Sequence, residues 1–317
     1  MSTYFIVAAW SHSTNREIPF SEVNYSEKPQ PAFTKIVFIM DESVRGDYLS
    51  ITEADRETTP FLESINGRLA NFGVAISGAN CSHVSRLMFR HGARLEQIPY
   101  LEKSYTQPTI WQYAHKAGLK TLYIDAWTGP LGLHSGMTLA ERRLIDTKIS
   151  VLDERRYMRD TSAAEKLIEA LRDGEPTFIY VDKWGAHDQY RAQVPPEFSA
   201  RRDRERAAPG SSDEQLVNEY KDAMTWSVDE FFRKVLPAID LSKTLIVYTS
   251  DHGVNLRDGP SYYKQSHCNY GDTVNVAESF VPLLAITGDE QWSVRLRAAA
   301  KRGHDSASHF EIFFRPS

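Results

Sequence analysis

Four short stretches of the sequence carry side chains that could act together in catalysis. Ser82 lies in the stretch SGANCSHVSRLMF, where a helix is expected to begin. A serine at such a position is either a helix cap or a nucleophile, and a nucleophilic hydroxyl needs an activating group. Carboxylates and imidazoles that could activate it follow three apolar segments: Asp41, Glu42, His187, Asp251 and His252. Nitrogen and oxygen donors of this kind are what a metal site requires.

Continuous apolar runs predict the β-strands that would position these groups. The runs lie at residues 35–40, 120–126, 177–182, 244–250 and 280–287, and they are typical of buried strands. Helical patterns at 58–70, 109–118, 160–174 and 211–240 alternate with them. This alternation predicts an α/β fold, in which a mostly parallel sheet carries helices on both faces. Active sites of such sheets form beyond the carboxyl ends of the strands, where the polar groups lie.

The bulk composition is that of an ordinary globular protein. Of the 317 residues, 41% are hydrophobic and 25% are charged, which allows a sizeable core. A net charge of −5 gives no reason to expect nucleic-acid binding. An apolar run at residues 4–10 is much shorter than the about 20 residues that span a bilayer. It is either the tail of a membrane anchor or a packed segment, and we expect no membrane segment in this chain.

Five motifs make the sequence similar to a known family. The motifs are IVFIMDESVRGDYL, ETTPFLESINGRLANFGVAISGANCS, YVDKWGAHDQY, TLIVYTSDHG and YYKQSHCN. Together they resemble the lipid A phosphoethanolamine transferases, zinc-dependent members of the alkaline phosphatase and sulfatase superfamily. The resemblance implies an alkaline phosphatase/sulfatase-like fold, with a lead-in segment at 1–34 and a catalytic domain at 35–317. It also implies metal ligands at Glu42, Ser82, Asp251 and His252, and catalytic roles for Ser82, His187 and His267.

The resemblance distinguishes two serines of the nucleophile turn. A gap-free count from Asn71 and Phe72 places the family's nucleophile on Ser82, and Ser85 one helical turn later. We therefore predict that the Ser85 hydroxyl packs within the helix or supports the site. The family's paired cysteines are absent, because their positions fall on Gly78 and Met88.

The reaction that the resemblance implies is phosphoryl-headgroup transfer through a phosphoserine. One or two Zn²⁺ ions would assist it. The donor would be a phospholipid such as phosphatidylethanolamine, and the acceptor lipid A or another glycan. The family acts on the periplasmic side of the inner membrane, and we expect a monomer. Four arginines in a predicted loop at 201–206 could contact an anionic membrane surface: Arg201, Arg202, Arg204 and Arg206.

Two further pairs of residues belong to the predicted site. Trp127 and Lys183 lie at predicted strand ends and could line a substrate pocket, with Trp127 holding a cationic headgroup against its ring. Cys81 and Cys268 each adjoin a candidate functional residue, Ser82 or His267. We therefore predict that the two cysteines lie near each other and near the site, although two unrelated buried thiols would fit the sequence equally simply.

Two other functions remain open at this stage. The segment SHVSR matches the serine and arginine of the sulfatase signature but has Val84 in place of its proline. A sulfatase-like hydrolase would oxidise its nucleophile to formylglycine and would usually bind calcium. The second alternative is an inactive relative that binds a lipid headgroup or glycan. The retention of Glu42, Ser82, Asp251 and His252 argues against it.

Overall fold

One seven-stranded sheet forms the centre of the molecule. A computed structural model describes residues 20–24, 31–92, 106–206, 208–257, 267–269 and 274–312, so the predicted run at 4–10 and most of the lead-in segment lie outside the described residues. In chain order the strands are Lys35–Asp41 (β1), Leu69–Ile76 (β2), Lys120–Asp125 (β3), Thr147–Ser150 (β4), Thr177–Asp182 (β5), Thr244–Ser250 (β6) and Phe280–Thr287 (β7).

The strand order in the sheet is β2-β7-β6-β1-β5-β3-β4. Strands β1, β3, β4, β5 and β6 pair in parallel, whereas β7 is antiparallel to both β2 and β6. The predicted mostly parallel sheet is therefore confirmed. The apolar runs did not indicate β2 or β4. Asn71 and Gly73 interrupt the apolar residues of β2, and β4 is a short edge strand with the sequence TKIS.

Helices connect the strands along both faces of the sheet. Their bounds are Pro60–Ser64 (α1), Ser82–Arg90 (α2), Ile110–Lys116 (α3), Leu139–Arg142 (α4), Arg156–Arg172 (α5), Pro196–Glu205 (α6), Ser212–Met224 (α7), Glu230–Val235 (α8), Glu290–Arg302 (α9) and His309–Ile312 (α10). A π-helical turn, Thr225–Asp229, joins α7 to α8. No helix within the described ranges is long and apolar enough to cross a membrane.

Three helical predictions need correction. The pattern at 58–70 yields only the short helix α1, because a 3₁₀ turn at Asn66–Arg68 leads directly into β2. Helix α5 begins four residues before Asp160, whose carboxylate accepts the N–H groups of Trp184 and Gly185 instead of capping the helix. The predicted loop at 201–206 is wrong, since all but its last residue belong to α6, which begins with a proline at its first position.

The core lies on both sides of the sheet, as predicted. In β1, Val37 and Ile39 pack in a large cluster that includes Leu167 of α5 and Met224 of α7. The alternate residue Met40 joins a second cluster around the fully buried Trp111 of α3. Because successive side chains of a strand point to opposite faces, these two clusters place helices on both faces.

The strand register aligns the carboxyl ends of the central strands. Met40 lies opposite Asp182 in the β1–β5 pair, and Asp41 lies opposite Ser250 in the β1–β6 pair. Asp125 of β3 is in turn opposite Asp182. The residues that follow these strands therefore emerge at one edge of the sheet, although they are far apart in the sequence.

Candidate metal centre and active site

Four of the predicted side chains meet at this edge. Glu42 follows β1, Asp251 and His252 follow β6, and Ser82 is the first residue of α2. Ligand atoms of Glu42, Asp251 and His252 all lie within 4.8 Å of one another. The Ser82 hydroxyl oxygen is 3.0 Å from Nε2 of His252 and 3.3 Å from each carboxylate oxygen of Glu42.

The turn after β1 has an unusual backbone that fixes this arrangement. Ser43 adopts a positive φ of 59°, and such strained residues persist where the surroundings hold them. Its N–H donates to Oδ1 of Asp251 (3.1 Å), and its hydroxyl donates to Oε1 of Glu42 (2.8 Å). Gly185 packs against the same turn, where a Cβ atom would lie 2.4 Å from Oδ1 of Asp41. Only glycine allows the loop after β5 to come this close.

The structure places Ser82 inside its helix and not at the cap. Cys81 is the N-cap residue of α2, and the first intrahelical hydrogen bond runs from the N–H of Val84 to the carbonyl of Cys81 (3.1 Å). The side chain of Ser82 therefore faces the carboxylates while its backbone lies at the positive end of the helix dipole. Ser85 is fully buried one turn later, and its hydroxyl has no hydrogen-bond partner among the described residues.

Arg86 lies at the centre of the site, which the sequence analysis did not anticipate. Its fully buried guanidinium is 2.9 Å from Glu42, 2.9 Å from Asp182 and 3.1 Å from Asp251. The available signal was its position four residues after Ser82, because residues at this spacing share one helix face. In the sequence, Arg86 stands out only as the arginine of the sulfatase-like segment SHVSR.

These buried charges set the ionisation of the carboxylates. Burial by itself raises the pKa of Glu42, but Arg86 and His252 outweigh it and hold this pKa below the usual range. Burial and the nearby charge of Glu42 raise the pKa of Asp251. The pKa of Asp182 falls to about 2, because Arg86 and His134 overcome the effect of its burial.

The charge balance of the site fits a divalent cation. Glu42, Asp182 and Asp251 supply three carboxylates, and Arg86 supplies one positive charge, so two negative charges remain uncompensated. A buried group of this net charge is costly unless a cation compensates it. The tautomer of His252 also suits metal binding. Its Nδ1 donates to the carbonyl of Gly253 at 2.7 Å, so the lone pair of Nε2 can bind a metal.

The distances between the donors lie close to those of tetrahedral coordination. Nitrogen and oxygen ligands about 2.0–2.2 Å from a tetrahedral zinc lie roughly 3.3–3.6 Å from one another. Nε2 of His252 is 3.4 Å from Glu42, 3.7 Å from Asp251 and 3.0 Å from Ser82. Glu42, Asp251, His252 and Ser82 therefore fit a zinc ion as a ligand set.

Two histidines lie beside these four residues. The ring of His267 stacks on that of His252, with centroids 4.4 Å apart and planes 24° apart. His187, in the loop after β5, lies 5.3 Å from the ring of Trp127 and 5.4 Å from that of Trp184. Burial lowers the pKa of His187, and burial together with His252 lowers the pKa of His267 to about 4.

Comparison with known proteins assigns the family. The profile of the sulfatase family matches residues 34–291. The chain belongs to the sulfatase family. Phosphoethanolamine transferase EptC of Escherichia coli O18:K1:H7 is 24% identical over 271 residues, which cover 81% of this chain and 45% of that protein. The Kdo(2)-lipid A phosphoethanolamine 7''-transferase of E. coli K12 is 23% identical over 76% of this chain and 42% of that protein. The chain thus spans less than half the length of these relatives.

Solved structures confirm the sulfatase-type fold. The C-terminal periplasmic domain of EptC from Escherichia coli, in complex with Zn, superposes with a TM-score of 0.73 at 21% identity and covers 93% of this chain and 84% of that one. The soluble domain of lipooligosaccharide phosphoethanolamine transferase A from Neisseria meningitidis gives a TM-score of 0.70 at 16% identity, covering 92% of this chain and 90% of that one. The resemblance seen in the sequence motifs is therefore confirmed for family and fold.

A second acidic cluster in this sulfatase-family domain is already satisfied by protein groups. Ligand atoms of Asp125, His134 and Asp182 also lie within 4.8 Å of one another. However, Lys148 lies 2.7 Å from Asp125, and the hydroxyl of Tyr123 donates to Asp182 at 2.6 Å. Because Lys148 neutralises Asp125 and both Tyr123 and His134 contact Asp182, we assign this cluster a supporting role rather than a metal.

Trp127 and Lys183, the two predicted pocket residues, differ in placement. Trp127 is half-buried, and its ring stacks on His134 at 4.8 Å, beside the site. The prediction for Lys183 is corrected, because this residue is completely buried beneath the site. Its ammonium donates to Asp41 and to the carbonyl of Ser227, both at 2.5 Å, and so does not face a substrate. Burial raises the pKa of Asp41 to about 6 against the effect of Lys183.

The two cysteines form a disulfide next to the nucleophile turn. Cys81 and Cys268 are bonded, with their Cα atoms 4.7 Å apart. The prediction that they lie close to each other and to the site is confirmed, and the alternative of two unrelated thiols is excluded.

Three of the four predicted arginines lie beside acidic side chains. Arg202 lies 3.1 Å and Arg206 2.8 Å from Asp222 of α7, and Arg201 lies 3.8 Å from Glu205. These pairs reduce the charge that the helix can offer to an anionic membrane surface.

Proposed function

We propose that this domain is a zinc-dependent phosphoethanolamine transferase that works through a phosphoserine on Ser82. The observation that carries the proposal is the meeting of the Ser82 hydroxyl with the carboxylate of Glu42 and Nε2 of His252. The names of its relatives, phosphoethanolamine transferases, support this choice within the sulfatase family.

Glu42, Asp251 and His252 would hold the Zn²⁺ ion, with Ser82 at the fourth position. When bound, the ion would stabilise the serine in its alkoxide form and polarise a phosphoryl oxygen. The protein supplies the rest of the arrangement. The start of α2 directs backbone N–H groups at the incoming phosphate, and Arg86 keeps the carboxylates in position through its three ion pairs.

The proposed reaction has two displacement steps. In the first, the Ser82 hydroxyl gives up its proton and its oxygen attacks phosphorus, the bond from phosphorus to the lipid glycerol oxygen breaks, and the glycerol oxygen takes a proton. In the second, a hydroxyl of lipid A or another glycan attacks the phosphoserine, and the Ser82 oxygen leaves. His187 and His267 would bind phosphate oxygens or a second metal, or exchange protons with the leaving and attacking oxygens. Trp127 would contact the ammonium group of the donor.

The disulfide supports action on the periplasmic side of the membrane. Disulfides persist in oxidising compartments such as the bacterial periplasm and are rare in the cytosol, and the chain has one between Cys81 and Cys268. The names of the structural relatives refer to periplasmic domains. A lipid donor would require the catalytic edge of the sheet to approach the membrane.

Mass spectrometry of the purified protein tests the proposal directly. After incubation with phosphatidylethanolamine and zinc, one phosphoethanolamine group should be found on Ser82. Ser82→Ala should abolish this adduct, because no other hydroxyl replaces the nucleophile. Ser85→Ala is the matched control and should retain it. An adduct on Ser85 would overturn the assignment, and an unmodified wild-type protein with bound zinc would favour an inactive headgroup-binding relative.

A sulfatase-like hydrolase is the second candidate, because Ser82 and Arg86 keep the serine–arginine spacing of the sulfatase signature and both face the site. The same spectra separate the two functions. Conversion of Ser82 to formylglycine, with calcium in place of zinc in the purified protein, would establish the hydrolase. An unconverted serine with zinc would exclude it.

A further inference from the structure

The segment that carries His267 is joined to the nucleophile turn by a covalent bond. Cys81 immediately precedes Ser82, Cys268 immediately follows His267, and the two cysteines form the disulfide. The N–H of Cys268 also donates to the carbonyl of Asn80 at 2.8 Å. Ser82 and His267 lie 185 positions apart in the sequence. Each is thus adjacent to one of the two bonded cysteines.

A buried carboxylate joins the same two segments a second time. Glu278 is fully buried, and its oxygens accept from the side-chain amides of Asn80 and Asn269, both at 2.7 Å. The amide of Asn80 also donates to the carbonyl of Asn269 at 2.8 Å. Asn80 lies two residues before Ser82, and Asn269 lies two residues after His267. These bonds run parallel to the disulfide and constrain the same short segment.

The backbone of this segment also depends on its surroundings. Cys268 has a φ of 61°, a left-handed conformation that is unfavourable for a non-glycine residue and persists only where neighbouring structure holds it. The segment held in this way carries His267, whose ring stacks on that of His252, one of the candidate metal ligands.

We propose that the Cys81–Cys268 disulfide and Glu278 together act as a positioning device that holds the His267 imidazole against His252 at the reacting phosphate. The proposal rests on the proposed function for its effect on activity. The placement of His267 itself can be measured independently of activity. The disulfide would contribute to activity mainly by positioning His267. Removal of the disulfide should therefore affect activity in the same way as removal of the imidazole.

The first experiment measures the accessibility of His267. The wild-type protein and the Cys81→Ala/Cys268→Ala variant are treated with diethyl pyrocarbonate, and carbethoxylation of each histidine is followed by peptide mass spectrometry. We expect His267 to react several-fold faster in the variant, because its ring is no longer held against His252. His115, which is exposed and belongs to α3, is the internal reference and should react equally in both. An unchanged rate at His267 would overturn the proposal.

The second experiment compares rates of phosphoserine turnover. We expect the double cysteine variant and His267→Ala to lower kcat several-fold with little change in KM. The triple variant should be no slower than His267→Ala, because effects that act through one group are not additive. Multiplicative losses would show that the disulfide acts elsewhere and would overturn the proposal. If wild-type protein shows no turnover, the proposed function fails, whereas the accessibility experiment still decides on the positioning device.

Glu278→Gln keeps the disulfide and provides a second variant. Glutamine retains one acceptor oxygen but presents an N–H₂ group to one of the two asparagine amides. We expect a smaller increase in the carbethoxylation rate of His267 than in the cysteine variant. If the cysteine variant does not fold, this substitution decides the question, and an unchanged rate at His267 would count against the proposal.

Discussion

At the scale of single residues, Arg86 determines how much charge the site can hold. Its guanidinium contacts three carboxylates from the ends of three strands. A full neutralisation by protein cations would leave no place for a metal, whereas a single arginine leaves a charge of −2. Arg86 therefore stabilises the three carboxylates and leaves a net charge that a divalent cation would compensate.

Replacement of Arg86 should change both the stability of the zinc-free protein and its response to zinc. We expect Arg86→Gln to lower the free energy of unfolding of the zinc-free protein by about 3–5 kcal/mol, because buried carboxylates lose their partner. Added zinc should then raise the melting temperature more than it does in wild-type protein, because the site carries one more negative charge. Thermal unfolding with chelator and with zinc measures both effects.

A control variant and a contrary outcome complete this experiment. Arg201→Gln, on the exposed surface of α6, should change neither the stability nor the zinc-induced shift noticeably. If zinc stabilises Arg86→Gln no more than wild-type protein, the charge argument for the metal centre is wrong.

At the scale of secondary-structure elements, one buried carboxylate joins three helices near Ser82, the candidate nucleophile. Glu141 of α4 accepts from Arg90 at the end of α2 (2.6 Å) and from the indole N–H of Trp111 in α3 (3.0 Å). Burial by itself raises the pKa of Glu141, but Arg90 and His91 overcome it and hold this pKa well below its usual range. The carboxylate thus fixes the end of the helix that begins with Ser82.

This carboxylate should contribute stability that disappears in acid. Because its folded pKa lies below the value of about 4.3 for an unfolded glutamate, its contribution is present above that pH and is lost as the pH falls towards the folded pKa. Glu141→Gln should therefore lower the free energy of unfolding at pH 7 by about 3–5 kcal/mol. Urea unfolding should be measured between neutral and acid pH. The difference in the free energy of unfolding between wild-type protein and Glu141→Gln should become smaller as the pH falls below about 4.3. Glu169→Gln, a glutamate of α5 on the surface, should show little difference at any pH, and a constant difference for Glu141→Gln would contradict the assignment.

At the scale of the whole molecule, the metal centre joins distant parts of the chain. Its candidate ligands come from the turn after β1, the start of α2 and the end of β6. An unfolded chain cannot bring these groups together, so zinc should bind the folded protein almost exclusively. Binding at a free zinc concentration of 100 times Kd stabilises the folded state by about 2.7 kcal/mol.

Removal of zinc with a chelator should therefore lower the melting temperature, and added zinc should restore it. Asp251→Asn should abolish this response, because the amide replaces a charged ligand. Asp125→Asn, in the second acidic cluster, is the matched control and should retain it. A response lost in Asp125→Asn and kept in Asp251→Asn would move the metal to the other cluster, and an unchanged melting temperature after chelation would contradict the zinc centre.

Local pattern alone determined five of the seven strands and the polar residues that follow them. All five predicted apolar runs, at 35–40, 120–126, 177–182, 244–250 and 280–287, match observed strands to within one residue at each end. Such runs can be recognised because burial on both faces of a sheet demands an unbroken apolar segment. Glu42, Asp251 and His252 follow from the strand ends, since parallel strands place their carboxyl ends at one edge.

The contacts between elements that are distant in the sequence could be identified only from the tertiary structure. The sequence does not show that Arg86 contacts Asp182, that Lys183 pairs with Asp41, or that Asp222 pairs with Arg202 and Arg206. Nor could spacing alone establish the bond between Cys81 and Cys268. Each of these contacts joins residues that are distant in the chain, and their energies arise only after the sheet has brought them together. Local secondary-structure propensity depends on residues that are close in the sequence, so it does not indicate such distant partners.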